Sequence, residues 1–287
     1  MRPYDWHLTE DIDEFLARAG DFLRSRPALH NTPLTDMAKL RLRAADAPGA
    51  ETTVFGRLES EGEVRAVFYR TPRGRLTLTP LTAEQAATLA PHLAALGISP
   101  SDVIADHDTA TAFAGSWHRH TGAEPVPFWR THLYRLGTLT PPQPPPAGRG
   151  RVTGEKDRRQ VVRWCREFCV EVGEQSSLDL IDAGSWEASR FGDRHFTFWE
   201  TPNGTPASMA AATSMAAGMV RVDPVYTPAP LRGRGYAGAV TAEVSRAALA
   251  AGATDVVLYA DPANPTSNGV YRRLGYVHLT DFAGYRF

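Results

Sequence analysis

Two short stretches hold the residue types that could do chemistry. The first is Leu231-Arg232-Gly233-Arg234-Gly235-Tyr236-Ala237, between a Val-rich alternating run that starts at Val220 and an Ala-rich run that reaches Ala251. Glycines on both sides of Arg234 let the backbone approach a ligand, because neither brings a Cβ. The start of a helix leaves its first amides unpaired and carries partial positive charge. Amides, dipole and the guanidiniums of Arg232 and Arg234 together suit a phosphate or diphosphate. The loop is not a P-loop, since Tyr236-Ala237 stand where that motif has Lys and Ser/Thr. Gly238 completes a literal G-x-G-x-x-G, but the downstream acid, Asp255, precedes the next strand instead of ending it, unlike a dinucleotide site. The second stretch runs from Asn264 through Ser267, Asn268 and Tyr271 to Leu274-Gly275-Tyr276. Asn264 suits a turn or helix cap, and the Tyr271 phenol is a group that can donate a proton.

The elements around these stretches follow from periodicity and turn residues. In the second half, helices are expected over Asp157–Val172 and, less regularly, Ser176–Phe191. Strands are expected over His195–Glu200, Ala207–Met215 and Met219–Tyr226, with a hairpin at Pro202-Asn203-Gly204-Thr205. Pro228 and Pro230 end the third strand's pairing. A helix Gly235–Ala251, a buried strand Asp255–Tyr259, a short helix within Asn264–Leu274 and the last strands in Tyr276–Phe287 complete the half. The first half repeats this order more faintly. Its helices are expected over Leu8–Arg24, Leu34–Arg43, Ala83–Leu96 and Asp108–Thr121. Its strands are Thr52–Leu58, Val64–Tyr69, Arg75–Leu81, Asp102–Ala105 and Trp129–Leu136. The corresponding loop, Thr79-Pro80-Leu81-Thr82-Ala83-Glu84, has no glycine and carries an acid, so it makes a poor phosphate cradle. The Pro-rich segment 140–148 is read as an extended linker, dividing the chain into 1–139 and 149–287. The fold class is α+β, an α/β mixed sheet flanked by helices.

Composition narrows the function classes. With 287 residues and 43% apolar content, the chain suits one large or two modest domains. A net charge of −1 gives no basic surface for nucleic acid or anionic lipid. No apolar run is long enough to span a bilayer, and Met1-Arg2-Pro3-Tyr4 leads into no secretory signal, so a cytoplasmic protein is expected. Cys165 and Cys169, the only cysteines, are expected to be buried structural thiols. His118 and His120 face different sides of a helix, and no metal is expected.

Arg232-Gly233-Arg234-Gly235-Tyr236-Ala237, together with Asn264, Ser267, Tyr271 and Leu274-Gly275-Tyr276, resembles the two signatures of the GCN5-related N-acetyltransferases. Pro230 departs from that family's Gln/Arg position and removes one backbone donor. The resemblance covers about Arg151–Phe287; for the first half it rests on element order alone. It implies two acyl-CoA N-acyltransferase folds in tandem, the first degenerate and walling the acceptor cleft. It also implies transfer of an acetyl group from acetyl-CoA (coenzyme A) directly to a primary amine, borne by a small molecule or peptide. Diphosphate anchoring falls to Leu231 through Ala237. Pantetheine alignment falls to Val225, Tyr226 and Thr227, with the Val225 amide as oxyanion donor. Contacts along the arm fall to Asn264, Ser267 and Asn268, and Tyr271 is the acid for the leaving thiolate. The base is open among Asp223, Glu200, Glu171, Glu174 and a water relay. A monomer or homodimer is expected. The competing readings are a non-catalytic acyl-CoA-binding or sensing module and a tandem transferase using aminoacyl-tRNA, the latter disfavoured by the near-zero net charge.

Overall fold

The structure, a computed structural model, describes residues 5–46 and 52–287. Residues Met1–Tyr4, on which the absence of a signal was read, lie outside the described residues. The chain divides into two compact units: Met1–Leu133 with Leu279–Phe287, and Tyr134–His278. No helix among the described residues is long and apolar enough to cross a membrane.

The first unit contains β1 (Asp5–Thr9), α1 (Ile12–Ser25), α2 (Asn31–Asp46), β2 (Val54–Ser60), β3 (Glu63–Arg70), β4 (Arg75–Leu78), α3 (Ala83–Ala95), β5 (Asp102–Asp106) and α4 (His107–Thr121). The strand β6 (Val126–Leu136) begins there. Strands β1 to β5 pair in sequence order, antiparallel except for β4 and β5, which run parallel with Arg75 opposite Asp102. Period-two alternation sorts the two cores. In β3, Val67 and Tyr69 meet Phe15 and Leu23 of α1, while Ala66 and Phe68 join Leu89 and Leu93 of α3 and Phe113 of α4. A helix beginning at Leu8 is corrected: Leu8 and Thr9 pair with Gly56 and Phe55. The Asp11 carboxylate then accepts the Asp13 and Glu14 amides and starts α1.

The second unit contains β7 (Arg149–Val152), α5 (Arg158–Val172), α6 (Gln175–Asp182), β8 (His195–Glu200), β9 (Pro206–Ala212), β10 (Met219–Tyr226), α7 (Tyr236–Ala250), β11 (Asp255–Ala260) and α8 (Pro265–Arg273), and β12 (Tyr276–Arg286) begins in it. Strands β7 to β10 pair antiparallel in order, and β10 runs parallel to β11 with α7 crossing between. The α7 face buries Val220, Val222, Val240, Val244 and Leu258; the α5 and α6 face buries Trp164, Cys165, Cys169, Phe191, Phe198 and Met209. The expected second helix is α6 plus a 3₁₀ turn at Trp186–Ala188. The expected last strands are one strand, β12, whose Phe282–Arg286 pair antiparallel with β5 in the first unit.

Each unit carries the same β-β-β-α-β-α-β succession, with a parallel pair spanning its first crossover helix. The Pro-rich segment lies inside the second unit and is docked there. Its Ala147 carbonyl accepts the Trp199 indole N–H at 3.4 Å, and a Cβ at Gly148 would fall 2.0 Å from the Glu200 carbonyl oxygen.

Candidate functional site

The site grows from a break in sheet pairing. Met219 to Val222 of β10 match Asp255 to Leu258 of β11, and the match stops there. On the other edge the register with β9 shifts between Val222 and Val225. Pro224, inside this irregularity, has no N–H for a ladder. Pro224 is the residue that marks this divergence, and β10 ends at Tyr226, ahead of Pro228 and Pro230, as the sequence implies. Past the bulge, Val225 and Tyr226 stay paired with Ala210 and Met209. The Tyr226 hydroxyl donates to Glu167 at 2.9 Å, and burial foremost pushes that phenol up. The Thr227 hydroxyl lies 2.8 Å from the Ser208 hydroxyl.

Beyond Thr227 the chain makes a 3₁₀ turn, Ala229–Leu231, and then the glycine loop. Gly233 and Gly235 have φ of 75° and 81°, values a residue with a Cβ rarely adopts. Gly235 caps α7 without any side-chain cap. The first backbone bond of that helix is Ala239 N–H to the Gly235 carbonyl at 3.1 Å. Among the described residues, the amides of Gly233, Gly235, Tyr236 and Ala237 therefore have no protein partner. The Arg232 amide is already used by the Ala229 carbonyl at 3.3 Å, which removes it from the expected cradle. Its side chain is a strut: Nε donates to the Thr227 carbonyl at 2.8 Å and Nη2 to Glu171 at 2.5 and 2.7 Å. The Arg234 guanidinium folds back on the Pro230 carbonyl at 3.2 Å, and Leu231 closes the 3₁₀ turn through its amide to Pro228. The first unit differs at the matching place. There Thr82 and Gln85 form a reciprocal capping box, and the Leu81 amide is held by Thr109.

On α8, Asn264 is the N-cap, accepting the Ser267 amide at 3.0 Å, and Pro265 occupies the first turn. Asn268 is a structural brace. Its amide group donates to the Asp261 and Asn264 carbonyls at 2.8 and 2.7 Å, and its oxygen accepts the Tyr134 hydroxyl at 2.9 Å. Tyr134 escaped the sequence reading because it lies so far from Asn268 along the chain. Tyr271 sits on the same helix, 8% exposed, its ring 6.5 Å from Tyr134 and 6.1 Å from Tyr276. Its hydroxyl makes no hydrogen bond among the described residues. Burial, and then the charge of Asp223, push its pKa well above the usual phenol value.

The structure gives every acid considered as a base a partner. Asp223 lies 3.2 Å from Arg190 and 3.9 Å from Arg194. Glu200 is buried against Arg151 at 2.6 Å, and the same guanidinium holds the Asp157 carboxyl down at about 2. Glu171 binds Arg232. Glu174 caps α6 through the Ser177 amide and takes the Cys169 thiol at 3.4 Å. Cys165 and Cys169 are both free and buried; burial pushes both thiols up, Cys169 to about 12, which makes poor nucleophiles of them.

Residues 207–285 match the family described as FR47-like protein. No curated protein matches the chain. Among solved structures, a GCN5-related N-acetyltransferase from Sphaerobacter thermophilus is similar at 15% identity and TM-score 0.58, covering 100% of this chain and 96% of its own. A tandem GNAT protein from the clavulanic acid biosynthesis pathway is similar at 14% identity and TM-score 0.56, covering 98% of this chain and 97% of its own. A GCN5-related N-acetyltransferase from Kribbella flavida aligns at 19% identity and TM-score 0.51, over 77% of this chain and 86% of its own. The fold is that of the GCN5-related N-acetyltransferases, as the two sequence signatures implied.

Proposed function

We propose that the second unit is an acetyl-CoA-dependent N-acetyltransferase acting on a primary amine. The observation that supports this most is the set of unpartnered amides at the head of α7, next to the place where β10 leaves β11. The amides of Gly233, Gly235, Tyr236 and Ala237 hold the diphosphate, with the helix dipole behind them. The pantetheine arm lies along Val225 to Thr227, on the edge that β11 has left, and the Val225 amide faces the oxygen of the thioester as it becomes an oxyanion. Attack by the neutral amine forms the C–N bond, and collapse breaks the C–S bond and releases the thiolate. Tyr271, kept protonated by burial, donates a hydrogen bond to that sulfur. A thiol of ordinary pKa, about 8.5, is the weaker base, so the phenol steadies the thiolate more than it fully protonates it. With the nearby acids engaged in ion pairs, the amine proton leaves through water.

Incubation with acetyl-CoA and a panel of amines, followed by free-thiol release, tests the reading. Calorimetry with coenzyme A tests the cradle separately, and an absence of binding ends the proposal. The ion-paired state of every candidate base favours one alternative, an acyl-CoA-binding module without turnover. That module binds acetyl-CoA, releases no thiol with any amine, and is indifferent to Tyr271→Phe.

A further inference from the structure

The head of α7 has a neighbour that lies far from it in sequence. Residues 141–146 hold five prolines, and each ring fixes its φ at about −65°, so the segment is stiff once its ends are tied. Both ends are tied within the second unit. The Thr140 amide donates to the Leu274 carbonyl, at the end of α8, at 2.9 Å. The Ala147 carbonyl accepts the Trp199 indole N–H of β8, and Gly148 lies too close to the Glu200 carbonyl for a Cβ. Between these anchors the segment crosses the first turn of α7. A Cβ at Gly235 would lie 3.8 Å from Pro146 Cγ, and one at Gly238 would lie 3.6 Å from both Pro142 Cγ and Val270 Cγ1 of α8. Pro142 and Pro146 are half-buried, whereas Pro141, Pro144 and Pro145 are exposed. Two prolines therefore face α7, set against glycines at the same end of the helix.

The contact falls where the cradle has least to hold it. Gly233 and Gly235, both at positive φ, have no Cβ to restrict them. Gly235 caps α7 without a side-chain bond, and the loop from Arg232 to Gly235 is exposed. Free amides grip an anion well when they already converge on it. A loop that must be ordered at binding loses affinity through the entropy of that ordering.

We propose that residues 140–147 form a strap that positions the diphosphate cradle, with Pro142 and Pro146 as its positioning residues. The inference rests on the acyl-transfer reading above, because the amides that the strap aligns are those assigned to coenzyme A. Its effect is confined to ligands that carry the diphosphate. An acylated pantetheine, which ends before that group, gains nothing from the cradle.

The test uses the full chain and two paired variants. Pro142→Ser with Pro146→Ser removes the prolines that meet α7. Pro141→Ser with Pro145→Ser removes two exposed ones and loosens the segment to the same degree. Calorimetry with coenzyme A is expected to show about tenfold weaker binding for the first pair, as if about one residue's backbone had to be ordered at binding, and a change of no more than about twofold for the second. Turnover separates positioning from loss of structure. In the first pair, kcat/KM with acetyl-CoA should fall about tenfold relative to kcat/KM with S-acetylpantetheine, whereas partial unfolding lowers both alike. Thermal melting checks each variant, and Pro146→Ala, a smaller change, replaces the first pair if that pair is unfolded at the assay temperature. Equal coenzyme A affinity in the two pairs, or an unchanged ratio between the two thioesters, overturns the inference and leaves the transferase standing. Wild-type protein that binds no coenzyme A overturns the transferase reading and this inference with it.

Discussion

Replacing Tyr271 by Phe separates chemistry from stability. The ring is buried in the α7-face core between Tyr134 and Tyr276, and Phe keeps those contacts. The hydroxyl has no hydrogen-bond partner among the described residues, so its removal strands no buried donor or acceptor. Deleting such a group is close to neutral, within about 0.5 kcal/mol. For a chain of this size that moves Tm by no more than about 2 °C. The same deletion takes the hydrogen bond from the departing sulfur; a hydrogen bond to a charged group is worth about 10- to 100-fold. The expected outcome is unchanged melting, unchanged coenzyme A affinity by calorimetry and a kcat lower by that factor in a thiol-release assay. Because burial raises the phenol above its ordinary value of about 10, the wild-type profile should show no loss from its ionisation up to that pH. A kcat within twofold of wild type would falsify the donor role. A large fall in Tm would mean that the hydroxyl holds the fold, and the assignment would fail on that ground.

Gly235→Val forces a β-branched residue to φ near 81° at the α7 cap. It is expected to weaken coenzyme A binding at least tenfold, and calorimetry that finds wild-type affinity refutes the cradle. Asn268→Ala removes its side-chain bonds to the Tyr134 hydroxyl and to the Asp261 and Asn264 carbonyls, which keep only their backbone donors, the Asn264 and Asn268 amides. It should cost about 2–4 kcal/mol in urea unfolding and lower kcat by displacing α8; a loss below about 1 kcal/mol contradicts the brace. His30 in the first unit is fully buried, with Nδ1 3.0 Å from the Leu23 carbonyl and no partner for Nε2 among the described residues. Burial lowers its pKa from 6.5 to about 4. The unfolded ring therefore takes up a proton that the folded one refuses, and stability present above pH 6.5 is lost as pH falls toward 4. The loss reaches about 3 kcal/mol. The urea midpoint of His30→Gln should fall less than that of wild type over this window, and parallel curves would show that His30 does not titrate as argued.

The geometry of the glycine loop was legible because its signals are short-range. Gly233 and Gly235 are where the backbone needs positive φ, and the Ala-rich run after them carries the helix that their amides begin. Valines alternating along β10, the Asn-Gly turn before β9 and the Asn264-Pro265 start of α8 are likewise local, and those elements stand where periodicity put them. The short strands β1 and β7 were not legible. They gain their hydrogen bonds from distant partners, β2 and β8, and their own residues carry no sustained alternation. The state of the acids was also hidden. Asp223, Glu200 and Glu171 read as free carboxylates along the chain, and only packing brought Arg190, Arg151 and Arg232 to them. The Pro-rich segment reads as a spacer by composition, and no local signal shows that the Trp199 indole donates to its Ala147 carbonyl.

By itself the sequence determined most helices and strands, the glycine loop and the residue types beside it, because each depends on φ preference, side-chain period or capping within a few residues. Tertiary structure alone decided where β10 leaves β11, which amides stay unpaired, which carboxylates are neutralised and that the last residues of β12 complete the first unit's sheet. Those outcomes depend on pairing and charge between segments far apart in the chain, where no local preference acts.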